Sequence, residues 1–276
     1  MQLLQLQRDL ARRLDAAGVA SPQHDARALL MHALQLDWSA LVLQGSRDLT
    51  PQEEQQVERL AVRRLAREPL QHLLGTVEWG GLTLQVSPAA LIPRPETEVL
   101  LQLALARLAG WPAARVLDVG TGTGALALAL RQARPDLQVL GSDVSPEALA
   151  LARENAQRTG LAVPFVQADL LEGLQGPFQL IVSNPPYLPE ADRQTADPEV
   201  GHDPALALYS GPDGLGLARR LALQARPALR PGGTLLLELD PRNVQQLAAE
   251  LDTQGWRVTV HPDLTGRERF LEAGGR

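Results

Sequence analysis

Apolar residues recur at helical spacing through the first quarter of the chain. Leu3, Leu6, Leu10 and Leu14 share one face, and Gly18 offers a C-terminal stop. Ser21-Pro22 supplies an N-cap with proline at the first helical position, ahead of a stripe at Ala26, Leu29, Leu30 and Ala33. Thr50-Pro51 starts a further helix carrying Val57, Leu60, Ala61 and Leu65. Glu53 and Glu54 place negative charge at its N-terminal dipole. These periods predict a small helical bundle over residues 1–70.

The pattern then changes. Val77, Trp79, Leu82, Leu84 and Val86 alternate around Gly80-Gly81, which predicts a β-hairpin linker within 71–90. A helix is expected from about Pro95 to Ala109. From Arg115 onward short apolar runs alternate with amphipathic ones. Strands are predicted at 115–119, 138–142, 163–168, 178–183, 233–239, 256–261 and 267–272. Helices are predicted at 124–133, 146–158, 214–229 and 243–254. That rhythm implies an α/β domain over 91–276, with a mostly parallel sheet covered by helices on both faces. The last two strands have no room for a helix between them, so one runs antiparallel. Residues 184–214 carry no clear element, and so long a stretch inside a compact domain is either functional or holds elements that the pattern does not show.

Composition removes several mechanisms. The 276 residues contain no Cys, and all 26 basic residues are arginine. A Schiff-base lysine, a phosphate-loop lysine, a Cys nucleophile, Cys-ligated metal and disulfides are thereby excluded. The five His show no metal-ligand spacing, and no metal is expected. The net charge of −6 argues against a broad nucleic-acid or anionic-membrane surface, and residues 86–276 carry 17 Arg against 22 acidic residues. Arg8 and Asp9 interrupt the first apolar stretch too early for a secretory leader, and no run of 18 apolar residues occurs. A monomeric cytoplasmic protein is the expectation.

A glycine loop follows the strand at 115–119. Asp118, Gly120, Thr121, Gly122, Thr123 and Gly124 lead directly into a helix. The glycines let backbone approach a ligand, and the helix start offers unpaired N–H groups. Asp143 ends the next strand, where an acid can accept both hydroxyls of a ribose. With Ala125 the loop also fits a dinucleotide pattern, so a nicotinamide oxidoreductase is an alternative. The close spacing of the three glycines favours S-adenosylmethionine (SAM). Asp118 is then placed for its ammonium, and Asp169 for the adenine amino group.

Asn184-Pro185-Pro186-Tyr187 stands at the carboxyl end of the strand at 178–183. From average composition such a tetrapeptide arises by chance on the order of once in a few hundred to a thousand chains of this length. Its chemistry suits a planar amino group whose lone pair is delocalised. The Asn184 oxygen can accept one hydrogen and the Pro185 carbonyl the other. The prolines hold the backbone rigid, and Tyr187 can lie over the plane. No general base is needed, because the nitrogen becomes strongly acidic once methylated.

With both motifs in place the chain resembles the release-factor glutamine methyltransferases (PrmC, also called HemK). The resemblance runs over nearly the whole chain. It includes REPLQHLLG at 67–75, LIPRPETE at 91–98, the glycine loop, Asn155-Ala156, SNPPY at 183–187, DPAL at 203–206 and Gly214-Leu215. It implies a seven-stranded SAM-dependent, Rossmann-like methyltransferase domain after an all-α bundle and a hairpin linker. It implies transfer of a methyl group to the side-chain amide nitrogen of the glutamine in the Gly-Gly-Gln motif of class I peptide-chain release factors, with S-adenosylhomocysteine as second product. Residue by residue, SAM binding falls to Gly120–Gly124, Asp143, the Asp169-Leu170 pair and Asn184, and substrate binding to Asn184, Pro185, Pro186 and Tyr187. The bundle is expected to recognise the release factor. Arg94 and residues 96–98 have no assigned role. After Glu238 the chain reads Leu239-Asp240-Pro241-Arg242 where the family usually has a Gly and a nearby Gln. Three alternatives use some of the same features: a ribosomal-protein glutamine methyltransferase, a DNA or RNA adenine-amino methyltransferase, and a non-catalytic SAM-binding protein.

Overall fold

The computed structural model describes residues 1–275, which divide into two compact units. The first comprises residues 1–76 together with the short segment 197–202. Its helices are α1 (Leu3–Ala16), α2 (Pro22–Leu34), α3 (Trp38–Leu43), α4 (Pro51–Leu65) and α5 (Leu70–Leu74). The leucine stripe of α1 is fully inside, with Leu29 and Leu30 of α2 and Val57 and Ala61 of α4. Each such leucine contributes about 1.5–3 kcal/mol on burial. Thr50 and Glu53 form a reciprocal capping box, and Pro51 opens α4. Ser21 takes the N-cap position of α2 as expected, but its side chain caps nothing. A buried ion cluster joins the elements. Arg64 Nε donates to Asp25 at 2.8 Å, its Nη2 to Glu199 at 2.6 Å, and its Nη1 to the Glu68 carbonyl at 3.0 Å.

The second unit spans 77–196 and 203–275. A two-stranded hairpin, β1 (Thr76–Trp79) and β2 (Leu82–Gln85), leads through α6 (Thr97–Leu108) to the main sheet. Its strands are β3 (Arg115–Val119), β4 (Gln138–Asp143), β5 (Phe165–Gln167), β6 (Phe178–Ser183), β7 (Leu229–Glu238), β8 (Trp256–Pro262) and β9 (Glu268–Gly275). They lie in the order β5-β4-β3-β6-β7-β9-β8. All pairings from β5 to β7 are parallel, and β9 runs antiparallel to both β7 and β8. The central strands β3 and β6 are apolar at most positions because helices cover both faces. One apolar cluster includes α7 (Ala125–Ala133), α6 and the hairpin, and the other α9 (Gly216–Ala228) and α10 (Val244–Thr253). This is a Rossmann-like sheet with an antiparallel seventh strand. Its order reverses at β3, so β4 and β6 flank β3 and their carboxyl ends open one crevice.

The stretch after β6 has more order than its sequence predicts. Leu188 bridges Tyr209 in parallel, and three 3₁₀ turns occupy Glu190–Gln194, Val200–His202 and Ala205–Ala207. None is long enough to print a hydrophobic period.

Candidate active site

The glycine loop leaves β3 at its carboxyl end. Thr121 N–H donates to the Ser142 carbonyl at 2.9 Å, tying the loop to β4. Gly124 stands at the start of α7 with φ +80°, and a Cβ there would lie 3.1 Å from Phe165 and 3.2 Å from Ala152. Only glycine satisfies both the backbone and the space. Behind the loop Asn155 is fully buried on α8 (Pro146–Thr159). Its Nδ2 donates to the Thr123 and Gln85 carbonyls at 3.0 Å, and its Oδ1 accepts from Gln85 N–H at 2.7 Å. Asn155 thus stitches the loop to the hairpin.

The loop frames a cavity of about 360 Å³. Asp118, Gly120–Thr123, Asp143, Asp169, Leu170, Asn184 and Pro186 all line it. Asp118 is 2% exposed and accepts from Thr121 Oγ1 at 2.7 Å. Burial pushes its carboxyl up to about 7, against the hydrogen bonds from Thr121 and the Ala127 N–H, and Asp143 adds to the rise. Asp143 accepts Gly122 N–H on Oδ2 at 2.9 Å and Ser145 N–H on Oδ1 at 3.0 Å. Each oxygen keeps a lone pair for a further donor. Two carboxyls beside the loop would repel a pyrophosphate and attract an ammonium and hydroxyls, which fits SAM and disfavours a dinucleotide. Asp169 is ion-paired with Arg220 at 2.7 Å, and Leu170 beside it has φ +56°. The Asp169 carboxylate therefore already has one charged partner.

Strand register sets the second half of the site. Val119 pairs with Ser183, and Ser183 Oγ donates to the Val119 carbonyl at 2.7 Å. Asn184 follows at once, so the Asn-Pro-Pro-Tyr corner begins beside the glycine loop. The corner is held from below. Asn243 Nδ2 donates to the Tyr187 carbonyl at 3.2 Å, and a Cβ at Gly214 would lie 2.0 Å from that oxygen. Gly214 has φ +76°, so the chain passes there only as glycine. Burial, then Glu238, push the Tyr187 phenol up to about 12, so it stays neutral.

Asn184 carries the most informative polar atoms. Its Nδ2 donates to Thr97 Oγ1 at 3.1 Å. Its Oδ1 is buried and has no partner among the described residues. A buried unpaired acceptor costs about 1–3 kcal/mol, and an arriving N–H donor recovers it. The sequence reading missed Thr97, because nothing in LIPRPETE marks that hydroxyl as reaching a residue 87 positions away. The same stretch also serves structurally. Arg94 pairs with Asp203 at 2.7 Å, and its carbonyl accepts the Trp79 indole N–H at 2.8 Å. Downstream, Arg242 donates to Asp240 and Asp192, and the Asp240 carbonyl accepts Val244 N–H at the start of α10. Residues 239–242 thus form the entry to α10.

Comparison with known proteins gives the arrangement its relatives. Residues 5–75 match the PrmC N-terminal domain and residues 95–200 the methyltransferase small domain. The chain is 60% identical to a release factor glutamine methyltransferase from Deinococcus radiodurans, covering 99% of this chain and 98% of that protein. It is 44% identical to one from Mycolicibacterium smegmatis over 94% and 93%, and 43% identical to one from Escherichia coli over 79% of each. Among solved structures, the catalytic domain of hMettl16 with an RNA hairpin superposes with a TM-score of 0.60 at 17% identity, covering 87% of this chain and 84% of that one. That likeness concerns the fold alone. The end-to-end identity with the Deinococcus protein places this chain in the release factor glutamine methyltransferase family.

Proposed function

We propose that the protein transfers a methyl group from SAM to the side-chain amide nitrogen of the glutamine in the Gly-Gly-Gln motif of class I peptide-chain release factors. The observation that carries this reading is the unpaired Asn184 Oδ1 beside the glycine-loop cavity. When bound, SAM supplies an electrophilic methyl on a sulfonium whose leaving group is a neutral thioether. The residues do the rest by positioning. Thr121 and Asp143 hold the loop, and Asp118 is offered to the ligand's ammonium and Asp143 to its ribose. Leu170 gives an apolar contact and Asp169 an acceptor at the adenine end. On the other side Asn184 Oδ1 accepts one amide N–H and the Pro185 carbonyl the second. Pro185 and Pro186 have no N–H to compete, and the Tyr187 ring lies against the amide plane. Both donors engaged, the amide can present only its face to the methyl. A methylated amide nitrogen sheds its extra proton to water, so no side chain need act as base.

The helical unit is assigned to gripping the body of the release factor, and the enzyme is taken to act as a cytoplasmic monomer. Its net charge of −6 supports a protein acceptor over a nucleic-acid one. Among the described residues no helix is long and apolar enough to cross a membrane. Incubation with SAM and a purified class I release factor, followed by peptide mass spectrometry, tests the reading. One added methyl on the Gly-Gly-Gln glutamine is expected. Modification of a ribosomal protein or of adenine in DNA or RNA instead would overturn it.

A further inference from the structure

Helix α9 lays one side against the Asp169 end of the cavity. Leu217 and Arg220 line that cavity together with Asp169 and Leu170. Leu217, Arg220, Leu221 and Gln224 follow at three- and four-residue spacing, so they share a side of the helix. Arg220 Nη2 donates to Asp169 Oδ2 at 2.7 Å. One turn further on, Gln224 Oε1 accepts the Leu171 N–H at 2.9 Å. Leu221 is buried in the same apolar cluster as Leu171. Between the two polar anchors Leu170 holds φ +56°, a left-handed backbone that leucine rarely adopts. Such strain persists only where the surroundings over-determine it, and it concentrates at ligand sites. The Arg220–Asp169 pair is half-exposed, so it adds little to the stability of the fold.

We propose that Arg220 and Gln224 are positioning residues that set the Asp169-Leu170 turn to read the amino group of the SAM adenine. A free aspartate side chain samples about three χ1 wells. Arg220 engages Oδ2 and holds Asp169 in one of them. Oδ1 carries no hydrogen bond from the described residues, so it is left for a ligand donor. A carboxylate oxygen only accepts. It takes an N–H from an exocyclic amino group and repels a carbonyl oxygen in the same place. The cavity end is therefore selective for adenine over hypoxanthine, its deaminated counterpart. Gln224 acts on the backbone. By taking the Leu171 N–H it fixes the turn that carries Leu170 and Asp169, so the apolar contact and the acceptor are set together. This inference rests on the reading that SAM fills the glycine-loop cavity with its adenine at Asp169.

The probes are S-adenosylhomocysteine and S-inosylhomocysteine, in which a carbonyl replaces the amino group of the base. Isothermal titration calorimetry on the full chain gives an affinity for each. Wild type should prefer the adenosyl compound by about 10- to 150-fold, the worth of one hydrogen bond to a charged group. Arg220→Met keeps the stem and removes the guanidinium. It should weaken the adenosyl compound by about three- to tenfold, the lower figure being one χ1 well in three, and leave the inosyl compound within about twofold. The preference for adenine therefore falls, whereas a packing lesion would weaken both compounds alike. Arg220→Lys keeps the cation and should restore the preference to within about twofold of wild type. Gln224→Met removes the acceptor at similar shape and should lower the preference in the same way, and Gln224→Glu, which keeps an acceptor, should retain it. A thermal melt checks folding; should Gln224→Met fold poorly, the half-exposed Arg220 variants decide alone. In an Asp169→Ala background Arg220→Met should cost nothing further, because it acts through that carboxylate. A preference unchanged in Arg220→Met, or an undiminished loss in the Asp169→Ala background, would overturn the positioning role. If Asp169→Ala loses the preference while Arg220→Met keeps it, only this inference falls. If Asp169→Ala binds both compounds like wild type, the adenine reading falls with it.

Discussion

The buried Asp118 carboxyl makes SAM affinity a function of pH. Burial places its titration at about 7, where an exposed aspartate would titrate near 4. If it pairs with the SAM ammonium, the binding-competent form is the carboxylate. At pH 6.0 about one molecule in eleven carries it, and at pH 7.5 about three in four. The ligand's amine works in the opposite direction. With an ordinary α-amino value near 7.8 it is about fully protonated at pH 6.0 and about two-thirds protonated at pH 7.5. The product of the two fractions makes SAM bind about sixfold more weakly at pH 6.0 than at pH 7.5, or about 1 kcal/mol. Isothermal titration calorimetry at both values, in buffers of different ionisation enthalpy, measures the affinity and the proton released. Asp118→Asn should bind SAM more weakly throughout and lose this dependence. Only the amine then titrates, so affinity should rise slightly on going to pH 6.0. Wild-type affinity that is flat or tighter at pH 6.0 would refute the pairing of Asp118 with the ammonium.

Other consequences follow from the same contacts. Asp118 and Glu238 are both raised to about 7, so from about pH 4 to 7 the folded state binds more protons than the unfolded. Their contribution therefore lowers the ligand-free protein's melting temperature from pH 5 to pH 8, and Glu238→Gln should flatten that slope in differential scanning fluorimetry. Asp143→Ala should weaken SAM by at least about tenfold in an equilibrium binding assay, through loss of charge-assisted hydrogen bonds worth about 1.5–3 kcal/mol; unchanged affinity would remove Asp143 from the cofactor site. Gly124→Ala forces a side chain into φ +80° against Phe165 and Ala152, and should cost about 1–3 kcal/mol in urea denaturation. Asp25→Ala strips a partner from the buried Arg64 guanidinium and should destabilise the helical unit by about 3–5 kcal/mol, read by circular dichroism.

Where the hydrophobic period was long, the fold was legible. Every strand of the main sheet and the helices α7 to α10 follow from alternating apolar runs. The absence of a helix between β8 and β9 already required an antiparallel strand. The short helix α3 was not legible because six residues bury only Leu41 and leave no stripe. The extension of β7 back to Leu229 was hidden by Pro231-Gly232-Gly233, which reads as a turn but pairs through an irregular register with β6. At the site, residues that lie next to each other in sequence were found and those linked only through space were not. Gly120–Gly124 and the Asn-Pro-Pro-Tyr corner announce themselves by residue type and position after a strand. Thr97 and Asn243 do not, since a single polar residue carries no sign of its partner. Arg220 likewise gave no hint that it would pair with Asp169.

Two carboxyls raised toward neutrality, Asp118 in the cavity wall and Glu238 at the end of β7, would ordinarily suggest an acid and a base. The reaction and the contacts argue otherwise. An amide nitrogen is a poor nucleophile because its lone pair is delocalised, and removing a proton beforehand would demand a far stronger base than a carboxylate. After methyl transfer the nitrogen is so acidic that water suffices. Asp118 accepts from Thr121 and lines the cofactor cavity, whereas Glu238 is buried at the end of β7 and is not among the residues lining that cavity. Their raised values report the cost of burying charge. The distinction is measurable in one variant. Glu238→Gln keeps the hydrogen-bond acceptor and abolishes the base. If Glu238 removed the proton, kcat would fall steeply and lose its dependence on pH. If it takes no proton, kcat should stay within about fivefold of wild type, well below the hundredfold or more that general-base catalysis typically supplies.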